Sequence, residues 1–211
     1  MKKRSFSVGR RRGRRAVDLP QDKELVLLLP EYTKQGDATR LCLTDGSEQV
    51  VQVSVEAVLA GLARRHCKDL RLLRRRMEEL THERANNPLP LSAALVLASF
   101  RWRDPQRQGD SALGYVNAAL DVRAVPLESE PRCGRDGRSK GLLKAQRLKR
   151  AGRRQAVLVV GSRRVPTLWT METVNKHLNG AKILYESLLR EAAEAVAAAG
   201  RECALRQAAF G

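Results

Sequence analysis

Aromatic residues are scarce in this chain: three Phe, two Trp and three Tyr make up 4% of its 211 residues. Proteins that bind single-stranded nucleic acids stack the bases on exposed aromatic rings, and RRM-type sheets carry such rings on neighbouring strands. Trp102 and Tyr115 could stack on bases, but rings of this kind more commonly pack within the protein. The composition therefore disfavours both single-strand classes.

The recurrent motifs of enzymes and membrane proteins are also missing. The chain has no G-x-S-x-G nucleophile elbow, no glycine-rich phosphate loop ending in G-K-[ST] and no H-E-x-x-H zinc motif. Its apolar runs 25–29 and 93–98 are too short to cross a bilayer, and no apolar region follows the basic N-terminus as in a signal peptide. We therefore expect no catalytic residues, no cofactor and no membrane partner.

The four cysteines lie far apart in the sequence and form no C-x-x-C pair; they are Cys42, Cys67, Cys133 and Cys203. In a chain of this length the spacing predicts reduced, mostly buried thiols of a cytoplasmic protein, Cys67 among them. A zinc site would need histidines recruited from distant positions. We therefore expect no metal site.

Positive charge is what the sequence has in excess. Forty Lys and Arg against 23 Asp and Glu give a formal net charge of +17 and a pI near 10.7. Residues 1–16 hold eight basic residues and no acid, residues 132–154 hold ten basic residues and one acid, and the remainder is formally neutral. Because each Lys or Arg that contacts a phosphate releases condensed counterions, such segments bind nucleic acids without a shaped pocket. This distribution predicts nucleic-acid binding.

Hydrophobic periodicity predicts an α+β fold of antiparallel hairpins, a helical middle segment and a long C-terminal amphipathic helix. The run 25–29 is typical of a buried strand, and Asp45-Gly46 and Gly161-Ser162 are typical hairpin turns. Helices are expected to follow Ser54 and to span 70–80, the second ending at Asn86-Asn87-Pro88.

Single strands are expected over 91–103 and 113–125. Thr170 is predicted to cap the final helix and Gly200 to end it. Its apolar seam is long enough to reach beyond one core, so the helix either covers a sheet face or also pairs with a second copy. The predicted organisation is a disordered basic arm (1–22), a folded domain (23–199) with a basic insertion at about 126–154, and a tail (200–211).

Five segments between about residues 38 and 190 follow one another in a familiar order: Asn87-Pro-Leu-Pro-Leu91, 94–100, Gly114-Tyr-Val-Asn117, 157–165 and 173–188. In this order they resemble the ComK-type competence transcription factors. The chain departs from that pattern at Ala98-Ser99-Phe100, where the family has F-P-T, and at Gly114-Tyr115, where it has a Trp. The resemblance implies an activator that binds promoter DNA as an oligomer, through the minor groove. LytTR-type DNA-binding domains have a similar strand–turn–strand–helix ending and are a rival within the same function.

The predicted binding residues lie on the folded domain and on its two basic segments. The folded face is expected to carry Arg74, Arg75, Arg76, Arg163 and Arg164. The arm is expected to add Arg10, Arg11, Arg12, Arg14 and Arg15, and the insertion Lys140, Lys144, Arg147, Lys149, Arg150, Arg153 and Arg154. Double-stranded DNA is the expected partner and structured RNA or a ribosome the alternative. A metal-dependent nuclease is the weakest hypothesis, because the aspartates are dispersed along the chain.

Overall fold

The computed structural model describes residues 19–127 and 155–209, with side chains up to residue 201. The predicted α+β class is confirmed. In chain order the strands and helices are β1 Leu25–Thr33, β2 Gly36–Leu43, β3 Glu48–Val51, α1 Val55–Arg65, α2 Leu70–Thr81, β4 Leu89–Ser92, β5 Leu95–Arg101, β6 Leu113–Asn117, β7 Val122–Pro126, β8 Gln155–Val160, β9 Arg163–Thr170 and α3 Met171–Ala209.

The strands form two antiparallel sheets. The larger sheet has the order β3-β2-β1-β6-β5-β4, and the smaller has the order β7-β8-β9. Gly46 and Gly161 occupy the predicted hairpin turns with φ of 90° and 56°, values that glycine adopts without steric cost. Pro166 lies on the edge strand β9, where its missing N–H is tolerated.

The six-stranded sheet is buried on both faces. On one face Val55, Leu59 and Leu62 of α1 pack with sheet residues such as Leu28 and Leu97. On the other face the three-stranded sheet and the first half of α3 close a second core around Phe100 and Leu158. The layers are therefore helices, large sheet, and small sheet with α3.

Two strand predictions were wrong in the same way, since each segment predicted as one strand forms two. In the first segment β4 ends at Ser92 and β5 begins at Leu95, with an exposed two-residue turn between them. The second segment breaks at Asn117, after which the chain crosses from the large sheet to the small one. The apolar pattern runs through both breaks because the residues on either side of each turn are buried.

Helix ends also differ from the predictions. Helix α2 stops at His82, whose left-handed conformation (φ 56°) ends the helix before the expected asparagine pair. Helix α3 is capped by Thr170 as predicted, since Thr173 N donates to its Oγ1 at 3.3 Å. It then continues through Gly200 to Ala209, so residues 200–209 belong to the helix. Tyr185 and Leu188 are the last residues that pack on the body, and the following residues to 201 are exposed.

Candidate nucleic-acid interface

Positive charge within the described residues concentrates where α1 passes into α2. Residues 64–76, which we name the α1–α2 corner, contain seven basic residues and one acid. Arg64 and Arg65 lie in the last turn of α1, where the negative end of the helix dipole favours cations. Lys68 lies on the short connection, and α2 carries Arg71, Arg74, Arg75 and Arg76.

A tight connection brings the two helices together. Cys67 takes the left-handed conformation (φ 53°), and Lys68 N donates back to Ala63 O at 2.9 Å, as in a Schellman-type ending. Asp69 then caps α2, accepting from the backbone N–H of Arg71 at 2.8 Å and of Leu72 at 3.0 Å. Cys67 is exposed, contrary to the prediction of a buried thiol, whereas Cys42 is buried.

The charges along α2 oppose its own dipole. The helix has no acid in its first turn and no base in its last, and Glu78 and Glu79 come near its negative end. Each charge placed this way destabilises an isolated helix by about 0.3–1 kcal/mol. Helix stability therefore does not explain the arginines. They make the N-terminal end of α2 strongly attractive to anions.

Arg74 is held within the protein. Its guanidinium donates to both carboxylate oxygens of Glu56, at 2.8 and 3.0 Å, and this bond raises the pKa of Arg74. The pair fastens α2 to α1. Arg75 contacts Glu79 at 3.2 Å, but both side chains are mostly exposed, so this pair is weak and its arginine can exchange to a phosphate.

Arg163 is also committed to the protein. Its guanidinium donates to Glu48 Oε1 at 2.7 Å, to Ser47 O at 3.0 Å and to Gly46 O. The hydrogen bond from Arg163 is the main reason that the pKa of Glu48 is lowered. Arg163 therefore ties the β8–β9 turn to the β2–β3 turn. Arg164, its neighbour, is exposed.

The five predicted arginines do not share one face. Arg163 contacts the turn beside β3, which is one edge of the large sheet, whereas α2 packs against α1 and against β4 at the opposite edge. Five strand spacings separate these edges, or roughly 24 Å. Arg75 and Arg76 therefore belong to the α1–α2 corner, whereas Arg164 lies on β9.

The N-terminal segment joins the body at the α1–α2 corner. Arg65 donates to Leu19 O at 2.6 Å and to Pro20 O at 2.5 Å, and Asp22 contacts His66 at 2.8 Å. Leu19 packs against Gly61, where a Cβ would lie 3.1 Å from its side chain. The predicted arm residues Arg10, Arg11, Arg12, Arg14 and Arg15 lie outside the described residues.

The basic insertion joins the body at the small sheet, beside the start of α3. Gln155, the first residue described after it, pairs with Thr170, the residue before that helix. The first turns of α3 contact the loop that follows α2, through an ion pair of 2.6 Å between Lys176 and Glu83. His177 stacks on Trp169 at 4.6 Å, and burial lowers the pKa of this histidine. The predicted insertion residues, from Lys140 to Arg154, lie outside the described residues.

Four basic corner residues were not among the predicted binding residues: Arg64, Arg65, Lys68 and Arg71. The density of Lys and Arg across the joint of two predicted helices was the available signal. This stretch does not stand out as the two basic segments do, because Asp69 lies within it and Glu78 and Glu79 follow it.

Two further features are absent from the described residues. No group of three or more His, Cys, Asp or Glu side chains within them could hold a metal ion, and none of their helices has the length and apolarity that a membrane span requires. No family model, curated protein or solved structure matches this chain. The function is therefore inferred from the corner and from the charge distribution.

Proposed function

We propose that this protein is a DNA-binding transcriptional regulator that contacts duplex DNA through the α1–α2 corner and the two basic segments. The observation that carries the proposal is that Arg65 of the corner binds Leu19 and Pro20, which follow the acid-free segment 1–16 after only two residues. The two concentrations of positive charge are thus separated by a short length of chain. A polyanion that contacts both would be bound more tightly than by either alone, since each phosphate contact releases counterions.

Within the corner the exposed Arg71 and Arg75 of α2 would contact phosphates and set the orientation of the protein on the duplex. The arginine-rich arm suits a narrow minor groove, which attracts guanidinium groups through its negative potential. The insertion would add phosphate contacts from its own attachment point. A competence-factor-like activator, acting as an oligomer through α3 in the cytoplasm, is the specific form that the family resemblance suggests.

The placement of the aromatic rings favours duplex over single-stranded ligands. Tyr115 is buried in the core under α1, and Trp102 and Trp169 pack against the core under α3. These rings are not presented as a platform on which bases could stack. Structured RNA remains the second candidate because backbone contacts alone do not distinguish it from DNA.

The test is a salt series of binding with matched DNA duplex, RNA duplex and single strands. The double variant Arg71→Glu and Arg75→Glu should weaken duplex binding and reduce the slope of log K against log salt by about two, one for each lost phosphate contact. The matched control is Lys34→Glu with Arg123→Glu, which makes the same charge change at exposed positions on other elements.

Equal loss in both double variants would show that only net charge matters and would remove the corner from the proposal. A preference for RNA duplex over DNA at equal salt would replace DNA by RNA as the ligand. Metal-dependent cleavage of any of these substrates would favour a nuclease instead.

A further inference from the structure

A polar pocket lies where the loop that follows α2 meets β5 and β6. It has a volume of about 300 Å³. Ser99 and Tyr115 stand directly opposite each other on the two strands and line the pocket, although only 3% and 5% of these residues are exposed. Leu89 and Leu113 line it beside them. The inner end of the pocket therefore combines two hydroxyl groups with an apolar wall.

The loop that forms the outer wall is fixed by hydrogen bonds. Ser99 Oγ donates to Asn86 O at 3.0 Å. Asn87 Nδ2 donates to Glu83 O at 2.7 Å, and Asn87 Oδ1 accepts from Thr81 Oγ1 at 2.8 Å. Asn86 takes the left-handed conformation (φ 62°), which is uncommon outside glycine. The pocket is therefore held open by its own surroundings, as ligand sites usually are.

Four charged side chains line the pocket, namely Glu56, Arg74, Glu78 and Arg84. The first two neutralise each other, since Arg74 donates to both carboxylate oxygens of Glu56. Glu78 and Arg84 are exposed, and neither takes part in an ion pair within the residues described. They line one pocket without pairing with each other. One negative and one positive charge therefore remain unpaired at its open end.

The inner end carries no charge. Burial, together with the nearby Glu56 carboxylate, raises the pKa of Tyr115, and the Arg74 guanidinium opposes this shift only in part. The Tyr115 hydroxyl is therefore protonated at neutral pH and can donate a hydrogen bond to a ligand. The Ser99 hydroxyl donates its proton to Asn86 O, so its oxygen can still accept one. An uncharged polar group with both a donor and an acceptor satisfies this end.

The two unpaired charges select among possible ligands. An anion would be attracted by Arg84 and repelled by Glu78, a cation would meet the opposite, and a neutral molecule would use neither side chain. A zwitterion uses both, because its carboxylate can accept two hydrogen bonds from Arg84 while its ammonium group donates to Glu78. A free α-amino acid carries these two groups on one carbon atom, which leaves its side chain to extend inward.

We propose that this pocket binds a free α-amino acid with an uncharged polar side chain of the size of glutamine. The α-carboxylate and α-ammonium groups would bind Arg84 and Glu78, and the side-chain methylenes would contact Leu89 and Leu113. The amide at the tip would reach the hydroxyl of Tyr115. A volume of about 300 Å³ lies at the lower limit of ligand pockets and suits a molecule of about ten non-hydrogen atoms. The inference does not depend on the proposed function.

The experiment titrates L-glutamine into the full-length protein by isothermal titration calorimetry at pH 7. Three analogues each remove one feature: N-acetyl-L-glutamine lacks the ammonium group, L-glutaminamide lacks the carboxylate, and L-norleucine has an apolar end in place of the amide. The double variant Glu78→Gln and Arg84→Gln removes both unpaired charges. Its matched control is Glu186→Gln with Arg190→Gln, which makes the same changes at exposed positions of α3.

We expect L-glutamine to bind with a dissociation constant of about 1 mM or lower. Each analogue should bind at least about tenfold more weakly, because it leaves a polar or charged group of the site unpaired. The double variant should lose at least about tenfold in affinity, and the control should lose none. Tyr115→Phe, once shown to unfold cooperatively, should weaken L-glutamine at least about threefold and leave L-norleucine unchanged.

Several results would overturn the proposal. One is the absence of saturable L-glutamine binding up to about 10 mM. Others are equal binding of any of the three analogues, unchanged affinity in the double variant, or the same loss in Glu186→Gln with Arg190→Gln. Unchanged L-glutamine affinity in Tyr115→Phe would also contradict it, because the side chain of the ligand would then not reach the inner end of the pocket.

Discussion

Asn117 is expected to be among the most sensitive positions for stability. Its side chain is fully buried and makes four hydrogen bonds at the point where the chain leaves the large sheet. Nδ2 donates to Leu25 O at 3.1 Å and to Ala94 O at 2.9 Å. Oδ1 accepts from Val96 N at 3.3 Å and from Ala119 N at 3.1 Å. One amide thus uses its full donor capacity and joins β1, the β4–β5 turn and the segment after β6.

Replacing Asn117 with Ala removes all four bonds at once. At about 1 kcal/mol net for each bond, the free energy of unfolding should decrease by about 4 kcal/mol, or about 3 kcal/mol if water reaches the partly buried groups. This is a large share of the roughly 5–15 kcal/mol typical of a domain. Urea denaturation at pH 7, followed by tryptophan fluorescence, measures the change.

The matched control is Asn179→Ala, which makes the same substitution at an exposed position of α3. Its effect should stay within about 0.5 kcal/mol, as is usual for surface substitutions. A decrease below about 1 kcal/mol for Asn117→Ala would refute the reasoning, because it would mean that the four bonds contribute almost nothing.

Two further predictions concern packing and pH. Gly114→Ala places a Cβ 2.8 Å from the Phe100 ring and 3.2 Å from Leu28 O. It should therefore lower the free energy of unfolding, measured by urea denaturation, by about 1–3 kcal/mol. Gly180→Ala is the control, because its Cβ meets nothing within 4 Å, and it should cause no such loss. The pair Glu48–Arg163 stabilises the fold fully above the ordinary Glu pKa of 4.5, and this stabilisation is lost as the pH falls through the lower folded-state value. Thermal unfolding across pH 3–6 should therefore show a smaller acid loss in Arg163→Gln than in the unsubstituted protein, and equal losses would contradict this assignment.

Local patterns predicted the elements well wherever a residue acts within its own neighbourhood. The caps Ser54 and Thr170 and the hairpin turns at Gly46 and Gly161 depend on contacts a few residues away. The breaks after Ser92 and Asn117 were not predictable in this way. They depend on which sheet each strand joins, and Asn117 is held there by Leu25, 92 positions earlier in the chain.

The candidate site illustrates the same limit. The sequence predicted a binding face that includes Arg74 and Arg163. It could not show that Arg74 is bound to Glu56 or Arg163 to the β2–β3 turn, since both contacts cross between elements. It also could not show that Leu19 is held against α1 by Arg65. Charge content was therefore predictable, whereas which cations remain free to bind a ligand required the tertiary fold.

The exposed part of α3 is long enough to amplify small movements at its base. Residues 189–201 are exposed beyond the last residues that pack on the body, a length of about 20 Å. A tilt of roughly 10° at the base would therefore displace residue 201 by about 3 Å. Small rearrangements of the core beneath Tyr185 would therefore be amplified along the helix, and a fluorescent label near residue 201 would report on them.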